Sequence, residues 1–422
     1  MAAVCKKAIA IYKQLARAAK VNWGLHPEVT RTIYTAVVEP IIMYAASAWS
    51  ESVTKIEFRK QLSVVQRGFA QKICRAYRTV SLNSALVLSG ILPLDLRIRE
   101  AASLYEARRG RADGLVGDRD VERMTPAADK PHPAEQGRLE FRDLVDEEQY
   151  KTAQQDCEIR IFTDGSKIEG RVGAALSVWN RATETKALKL ALSAHCTVYQ
   201  AELLALSRAV GIASEHPATT IGILSDSRAA LQTVANPKAP TPSTRGVGRK
   251  REGGPSRQGS GPEVEEEVRL RLVSVSFAKR LIRDRTIAEW DRRYQSGETA
   301  SVTKLFFPSA ADAYRVVGKI TADKYITQLF TGHGGFRAYL HRFRCRENPS
   351  CPCDQHTPET LLHIMSQCPR FGRKRMDLEI ELGIEIKTEN YKEIIKHKEH
   401  REKFLKYATE IINKVSNINS DK

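Results

Sequence analysis

Apolar positions along the chain change period several times, and each change predicts a different kind of structure. Over the first hundred residues the spacing is helical. Ala8, Ile11, Leu15 and Ala18 form one stripe, and Phe58, Leu62, Val65, Phe69 and Ile73 form another within Glu57 to Arg78. Near residue 158 the period falls to two. Ile159, Ile161 and Thr163 alternate with Arg160, Phe162 and Asp164, which predicts a strand. Val172 to Trp179 and Thr185 to Leu192, split by Asn180-Arg181-Ala182-Thr183, predict two more strands in an antiparallel meander. From Thr197 a helical stripe of Leu203, Leu206, Val210 and Ala213 follows. A short strand from Thr220 to Ser225 comes next, then a helix from Arg228 to Val234 that Asn236-Pro237 ends. Helical spacing returns in Val273 to Arg293, with Phe277, Leu281, Ile282, Ile287 and Trp290 as candidate core. The tail from Lys387 to Lys422 mixes Lys, Glu and Ile and reads as one or two charged helices.

Two stretches lack any sustained period. Residues 111 to 156 mix Gly, Asp, Pro and Glu and read as a linker with one short helix near Leu139 to Tyr150. Residues 236 to 268 are rich in Pro, Gly, Ser and Arg, a composition that buries too little apolar surface to fold. These breaks divide the chain into a helical region 1–115, a linker 116–156, an α/β domain 157–235 and a disordered linker 236–268. A helical segment 269–345, a small metal-binding element 346–375 and a charged helical tail 376–422 follow.

Charge adds a partner to this outline. The formal net charge is +17, and through Gly110 the chain carries 17 Lys and Arg against 7 Asp and Glu. Such an excess favours a polyanion, most often a nucleic-acid backbone. The helix from Glu57 interleaves Arg59, Lys60, Arg67, Lys72, Arg75 and Arg78 with its apolar stripe, which suits a nucleic-acid channel and a solvated face equally. The first 27 residues have no acid, as in a transit peptide, but their helical spacing fits an ordinary surface helix equally well, and that is the reading preferred. No apolar run approaches the roughly 18 residues of a membrane span. Three of the eight cysteines crowd into residues 351 to 368, which points to metal in a reducing intracellular compartment, nucleus or cytoplasm.

Candidate chemistry lies in two groups. Asp164 ends the first strand before a glycine, Glu202 borders the buried face of the helix, and Asp226 ends the fourth strand. Any one of them reads ordinarily as a turn or cap residue. Three in this order read as a cluster, and clustered carboxylates are costly unless a cation offsets their repulsion. Mg²⁺ (or Mn²⁺) prefers such hard oxygens, and a pair of ions can activate water for in-line attack on a phosphodiester. In the second group, Cys351, Cys353, His363 and Cys368 are spaced C-x-C-x₉-H-x₄-C, a closed set suited to structural Zn²⁺. His356 and Cys345 are alternative ligands.

The segments FTDGSK with Gly173, YQAELLAL and LSDSRAAL resemble three successive motifs of the type 1 ribonuclease H family. The resemblance implies a ribonuclease H-like mixed sheet with helices and Mg²⁺-dependent cutting of the RNA strand in RNA–DNA hybrids. It makes Asp164, Glu202 and Asp226 the catalytic metal ligands and sets Ser166, Gln200 and Ser227 beside the hybrid, where RNA 2′-hydroxyls would be read. After Asp226 the family pattern continues with another strand, a loop histidine and a helix bearing a fourth acid. This chain has no counterpart, and no histidine occurs between His216 and His333. The expectation is an incomplete sheet without its fifth strand and an impaired enzyme. Glu265 to Glu267 could substitute a carboxylate, although a solvated charge run is the ordinary reading.

The stretches WGLHPEVTRTIYTAVVEPIIMYAASAW and QRGFAQKICRAYRTVSLNSALVLSGILPLDLRIREAASLYEARRG resemble the region after the polymerase palm in insect non-LTR retrotransposons of the R1 type. That implies a reverse-transcriptase thumb and connection, which grip primer–template. The chain contains no Asp-Asp pair to hold polymerase metals, so polymerase activity is not expected. IAEWDRRYQSGETASVTKLFFPS and TQLFTGHGGFRAYLHRF resemble the segment C-terminal to ribonuclease H in the same elements, and the Cys/His set resembles their C-terminal zinc knuckle, which is expected to bind RNA or DNA. Two functions are expected: an impaired hybrid ribonuclease, or a non-catalytic nucleic-acid-binding retrotransposon remnant.

Overall fold

The structure is a computed structural model that describes residues 2–20, 24–109, 119–122, 141–235, 247–248, 263–270 and 272–420, with 111, 114 and 116 as single positions. It divides into two compact units, Ser103–Ile282 on the one hand and Met1–Ala102 with Arg283–Lys422 on the other.

The unit Ser103–Ile282 is built on a mixed sheet. Its strands are β1 (Ile159–Ile168), β2 (Arg171–Asn180), β3 (Thr183–Leu192), β4 (Ile221–Ser225) and β5 (Glu263–Leu270), in spatial order β4-β1-β2-β3-β5, with the two-residue strand Val247–Gly248 paired beyond β5. β1, β2 and β3 form the expected antiparallel meander, while β4 runs parallel to β1 with Thr163 opposite Ser225. Along β1, Ile159, Ile161 and Thr163 are buried and the residues between them are not, as a period of two requires. The helix Val198–Glu215 covers this face. Its start is set by a capping box: Thr197 accepts from the Gln200 N–H, and the Gln200 side chain accepts from the Thr197 N–H.

Two expectations are corrected here. The buried face of that helix is Ala201, Leu204, Ala205, Leu206 and Ala209; of the expected stripe Leu206 is buried and Ala213 packs against the core, but Val210 is 52% exposed. Alanines lie against the sheet because they let the helix approach it closely, and that approach matters for the site. The region 236–268, expected to be linker throughout, contributes β5, which pairs in parallel with β3 from Ala187 opposite Glu263 to Leu192 opposite Val268. A polar strand can form without a hydrophobic run of its own, because its ladder hydrogen bonds come from the backbone. Residues 236–246 and 249–262 lie outside the described residues. The short helix expected near Leu139 to Tyr150 is found at Glu147–Gln155, N-capped by Asp146.

In the second unit both ends of the chain share one hydrophobic core. Phe69, Ile73, Leu86 and Leu88 belong to the same cluster as Trp290, Phe306, Phe330, Tyr391, Phe404 and Ile411. Polar bonds join the same partners: Thr303 Oγ1 donates to Ser84 Oγ over 2.8 Å, Asn83 Nδ2 to Thr299 Oγ1 over 2.8 Å, and Arg293 Nη1 to Asp95 Oδ2 over 2.6 Å. The divisions expected at 269–345, 346–375 and 376–422 are therefore not separate cores. The charged tail forms helices Tyr391–Lys396 and Lys398–Ser420, whose Ile394, Ile395, Phe404, Ala408, Ile412 and Val415 are buried. Helix Ile56–Ile73 stops five residues before Arg78, with Arg75 turned into the left-handed region at φ 53°. Among the described residues no helix is long and apolar enough to cross a membrane.

Candidate functional sites

Asp164 does not end β1, as expected, but is the sixth of its ten residues; parallel pairing with β4, Thr163 opposite Ser225, sets it beside Asp226, which follows the last residue of β4. Helix Val198–Glu215 delivers Glu202 beneath them. One oxygen from each carboxylate lies within 4.8 Å of the others. Asp164 and Asp226 are exposed, whereas Glu202 is only 5% exposed. The Gly165 N–H donates to Glu202 Oε1 over 2.9 Å, and Glu202 Oε2 is buried with no protein partner. Burial, reinforced by the charge of Asp226 and then by Asp164, holds the Glu202 carboxyl above the ordinary carboxylate range; the Gly165 bond opposes this.

The donor set suits divalent cations. Two oxygens on one octahedral Mg²⁺ stand about 3 to 4 Å apart, and paired ions about 3.5–4 Å apart spread the ligands a little further. An unpartnered buried oxygen aimed among carboxylates is what a cation would satisfy.

The neighbours expected to meet the hybrid are placed differently. Ser166 is exposed. Gln200 is buried, with its Oε1 committed to Thr197 and its Nε2 donating to Glu122 over 3.4 Å. Ser227 Oγ accepts from the Ala230 N–H and so caps the helix Arg228–Ala235. The strand that carries Glu265 to Glu267 lies three strands from β1, about 14 Å at the usual strand spacing. Among the described residues the carboxylate group has three members.

The second centre lies in the unit formed by the two chain ends. Cys351, Cys353, His363 and Cys368 offer ligand atoms that all lie within 4.8 Å of one another. Cys351 Sγ and Cys368 Sγ are 3.7 Å apart, and Cys353 Sγ is 3.2 Å from His363 Nε2. Two thiolates on a tetrahedral zinc at about 2.3 Å stand about 3.8 Å apart, so the set fits Zn²⁺. The alternatives do not take part: Cys345 is exposed and donates to the Phe343 carbonyl, and His356 is exposed outside the cluster. The H-x₄-C spacing is met by a π-helical turn, His363–Gln367, closed by the Cys368 N–H donating to the His363 carbonyl over 2.8 Å. An i→i+5 bond sets residues five apart above one another, where an α-helix would turn them well away from each other. Burial pushes the Cys368 thiol up to about 12 and also raises the Cys353 thiol, and a bound cation would favour their thiolates.

Sequence reasoning missed the partners of this centre. Glu359, 1% exposed, accepts from Arg370 Nη1 over 3.2 Å and from Asn419 Nδ2, and Arg370 Nη1 also reaches Cys351 Sγ at 3.8 Å. A lone buried Glu eight residues after the first cysteine was the available signal.

Taken together, the chain is a mixed α/β unit with a three-carboxylate, cation-type cluster, joined to a helical unit with a three-cysteine, one-histidine centre. It is similar, over about a quarter of its length, to R1-type retrotransposon polyproteins. It is 32% identical over 96 residues to a putative 115 kDa protein in type-1 retrotransposable element R1DM of Drosophila melanogaster, matching 23% of this chain and 9% of that one. It is 30% identical over 112 residues (26% of this chain, 28% of the other) to the retrovirus-related Pol polyprotein from type-1 retrotransposable element R1 4 of Nasonia vitripennis. Against the R1 2 polyprotein of the same wasp the figures are 34% over 99 residues, 23% and 24%. The chain thus spans less than a third of each of these relatives. No family model and no solved structure matches it.

Proposed function

We propose that the unit Ser103–Ile282 is a type 1 ribonuclease H domain, which binds RNA–DNA hybrid and cleaves its RNA strand in the presence of Mg²⁺ (or Mn²⁺), at a rate reduced by its missing fourth acid. The observation that carries this reading is the unpartnered Glu202 Oε2 held between two exposed aspartates. Glu202 is fixed from behind by Gly165 and would anchor the ions, while Asp164 and Asp226 would hold them at the surface, where a phosphodiester can approach. Bound ions would supply an activated water and stabilise the leaving 3′-oxygen. Similarity to retrotransposon polyproteins supports a nucleic-acid substrate. In the same reading Zn²⁺ fills the Cys351, Cys353, His363 and Cys368 set as a structural ion, and the protein works in the nucleus or cytoplasm.

A second reading, a nucleic-acid-binding protein without cleavage, is favoured by one specific observation: Gln200 and Ser227 serve as helix caps and are not free to read a hybrid. Incubating labelled hybrid with Mg²⁺ or Mn²⁺ separates the two. Cutting by the intact protein that Asp164→Asn abolishes supports the nuclease; equal, background cutting by both leaves the binding protein.

A further inference from the structure

Acids are absent from two long stretches of this chain. None occurs between Glu57 and Asp95, and none between Asp323 and Glu347. In the unit formed by the two chain ends these stretches meet. Thr79 Oγ1 hydrogen-bonds Tyr339 Oη at 2.6 Å and His333 Nδ1 at 3.0 Å, and Thr327 Oγ1 donates to the Cys74 carbonyl.

Aromatic rings line the junction. Tyr77 and Tyr339 have centroids 6.5 Å apart, Tyr339 and Phe343 are 5.0 Å apart, and His333 lies 5.0 Å from Tyr339. The row ends in Phe343, a large apolar ring left 45% exposed, with the Arg342 guanidinium 5.9 Å from its centroid. Arg342 and Arg344, on either side of Phe343 in the chain, and Arg78, between Tyr77 and Thr79, are exposed. The loop that carries Tyr77 and Arg78 is braced from below: Arg67 Nη2 and Gln71 Nε2 both donate to the carbonyls of Arg78 and Val80. Arg344 is kept in the left-handed region at φ 56°, a conformation non-glycine residues seldom adopt.

We propose that this junction is a docking surface for single-stranded nucleic acid, with bases stacked on Phe343 and Tyr339 and phosphates facing Arg78, Arg342 and Arg344. Exposed guanidiniums on stretches that carry no acid favour a polyanion. Exposed aromatic faces interleaved with arginine are how sequence-tolerant single-strand sites are built. A duplex keeps its base faces inside the stack, so it cannot use the rings. The surface shares no residue with the carboxylate cluster and stands whether or not that cluster cleaves.

The test measures anisotropy of labelled strands about 12 nucleotides long, within the usual site size, with the whole protein and without Mg²⁺. Single-stranded RNA and DNA are both expected to bind, and each about tenfold or more tighter than a duplex of the same sequence. Phe343→Ala is expected to lose about tenfold, in line with one lost stacking contact, and Phe343→Tyr to retain affinity. Arg342→Glu with Arg344→Glu should weaken binding further and flatten its salt dependence. These side chains are exposed, and unchanged circular dichroism confirms folding. Asp164→Asn should bind single strands like the unmodified protein, which separates this surface from the nuclease site. Wild-type affinity in both Phe343→Ala and the double charge reversal, or duplex bound as tightly as single strand, overturns the proposal.

Discussion

The Gly165 N–H donates to Glu202 Oε1 over 2.9 Å, and the same glycine is the point of closest approach between β1 and the helix carrying Glu202. A Cβ there would lie 2.7 Å from the Glu202 backbone nitrogen and 2.9 Å from its Cγ and Cδ. Gly165→Ala should therefore push helix and strand apart. The expected cost is about 1–3 kcal/mol, as for other overpacking substitutions. Thermal unfolding checks the cost. Any hybrid cleavage should fall at least tenfold, because the carboxylate moves with the helix.

Glu202 also sets a pH dependence. Its carboxyl is raised above its unfolded value, so below the unfolded value both states are protonated and no penalty exists. As pH rises past that value, the unfolded state ionises first and stability falls until the folded-state value is passed. Glu202→Gln should remove this loss. Denaturant titrations at acidic and neutral pH without divalent cations check it; the slope should be smaller in the variant, and Mg²⁺ should recover stability only in the unmodified protein.

At the thiolate centre, Arg370 joins buried Glu359 to Cys351. Three thiolates and one imidazole on Zn²⁺ carry a net negative charge, which the guanidinium offsets. Arg370→Met strands Glu359 and should destabilise the unit by about 3–5 kcal/mol, with part of the loss recovered by adding Glu359→Gln. Zinc affinity, read by chelator competition, should fall about tenfold or more, as is usual when such a supporting partner is lost.

Metal content distinguishes the ligand set itself. Purified protein should hold about one zinc per chain. Cys368→Ser should release it and lower the unfolding temperature, because Cys351 and Cys368 are both within the hydrophobic core. Cys345→Ser, at an exposed thiol outside the cluster, should change neither quantity.

Local patterns carried much of this structure in the sequence. The meander and the helix after Thr197 were legible because alternation and capping are encoded within a few residues of each other. The three acids were legible as carboxylates recurring on a strand, a helix and a strand in turn, although only Asp226 follows the end of its element; Asp164 lies within β1 and Glu202 within its helix. Anything decided by packing escaped. The helix face was misread because alanines give little hydrophobic signal, yet Ala201, Ala205 and Ala209 are the residues that touch the sheet. Strand β5 was missed because Glu263-Val-Glu-Glu-Glu-Val has the composition of a solvated run. The common core of the chain ends was hidden because periodicity reveals that a helix has an apolar face, not what covers it. The same limit hid the meeting of Thr79 with Tyr339.

That common core has a consequence for how the protein is made. Ser84 waits for Thr303, 219 residues later, before its hydrogen bond can form. At ordinary rates of synthesis the delay is roughly ten to forty seconds. During that time Phe69 already has Tyr12 and Tyr34 against its ring, but Leu86 and Leu88 have emerged without Phe306, Phe330 and the other later members of their core, whereas the meander can pair from neighbouring sequence. The carboxylate unit can therefore be complete before the core shared by the two chain ends has all its residues.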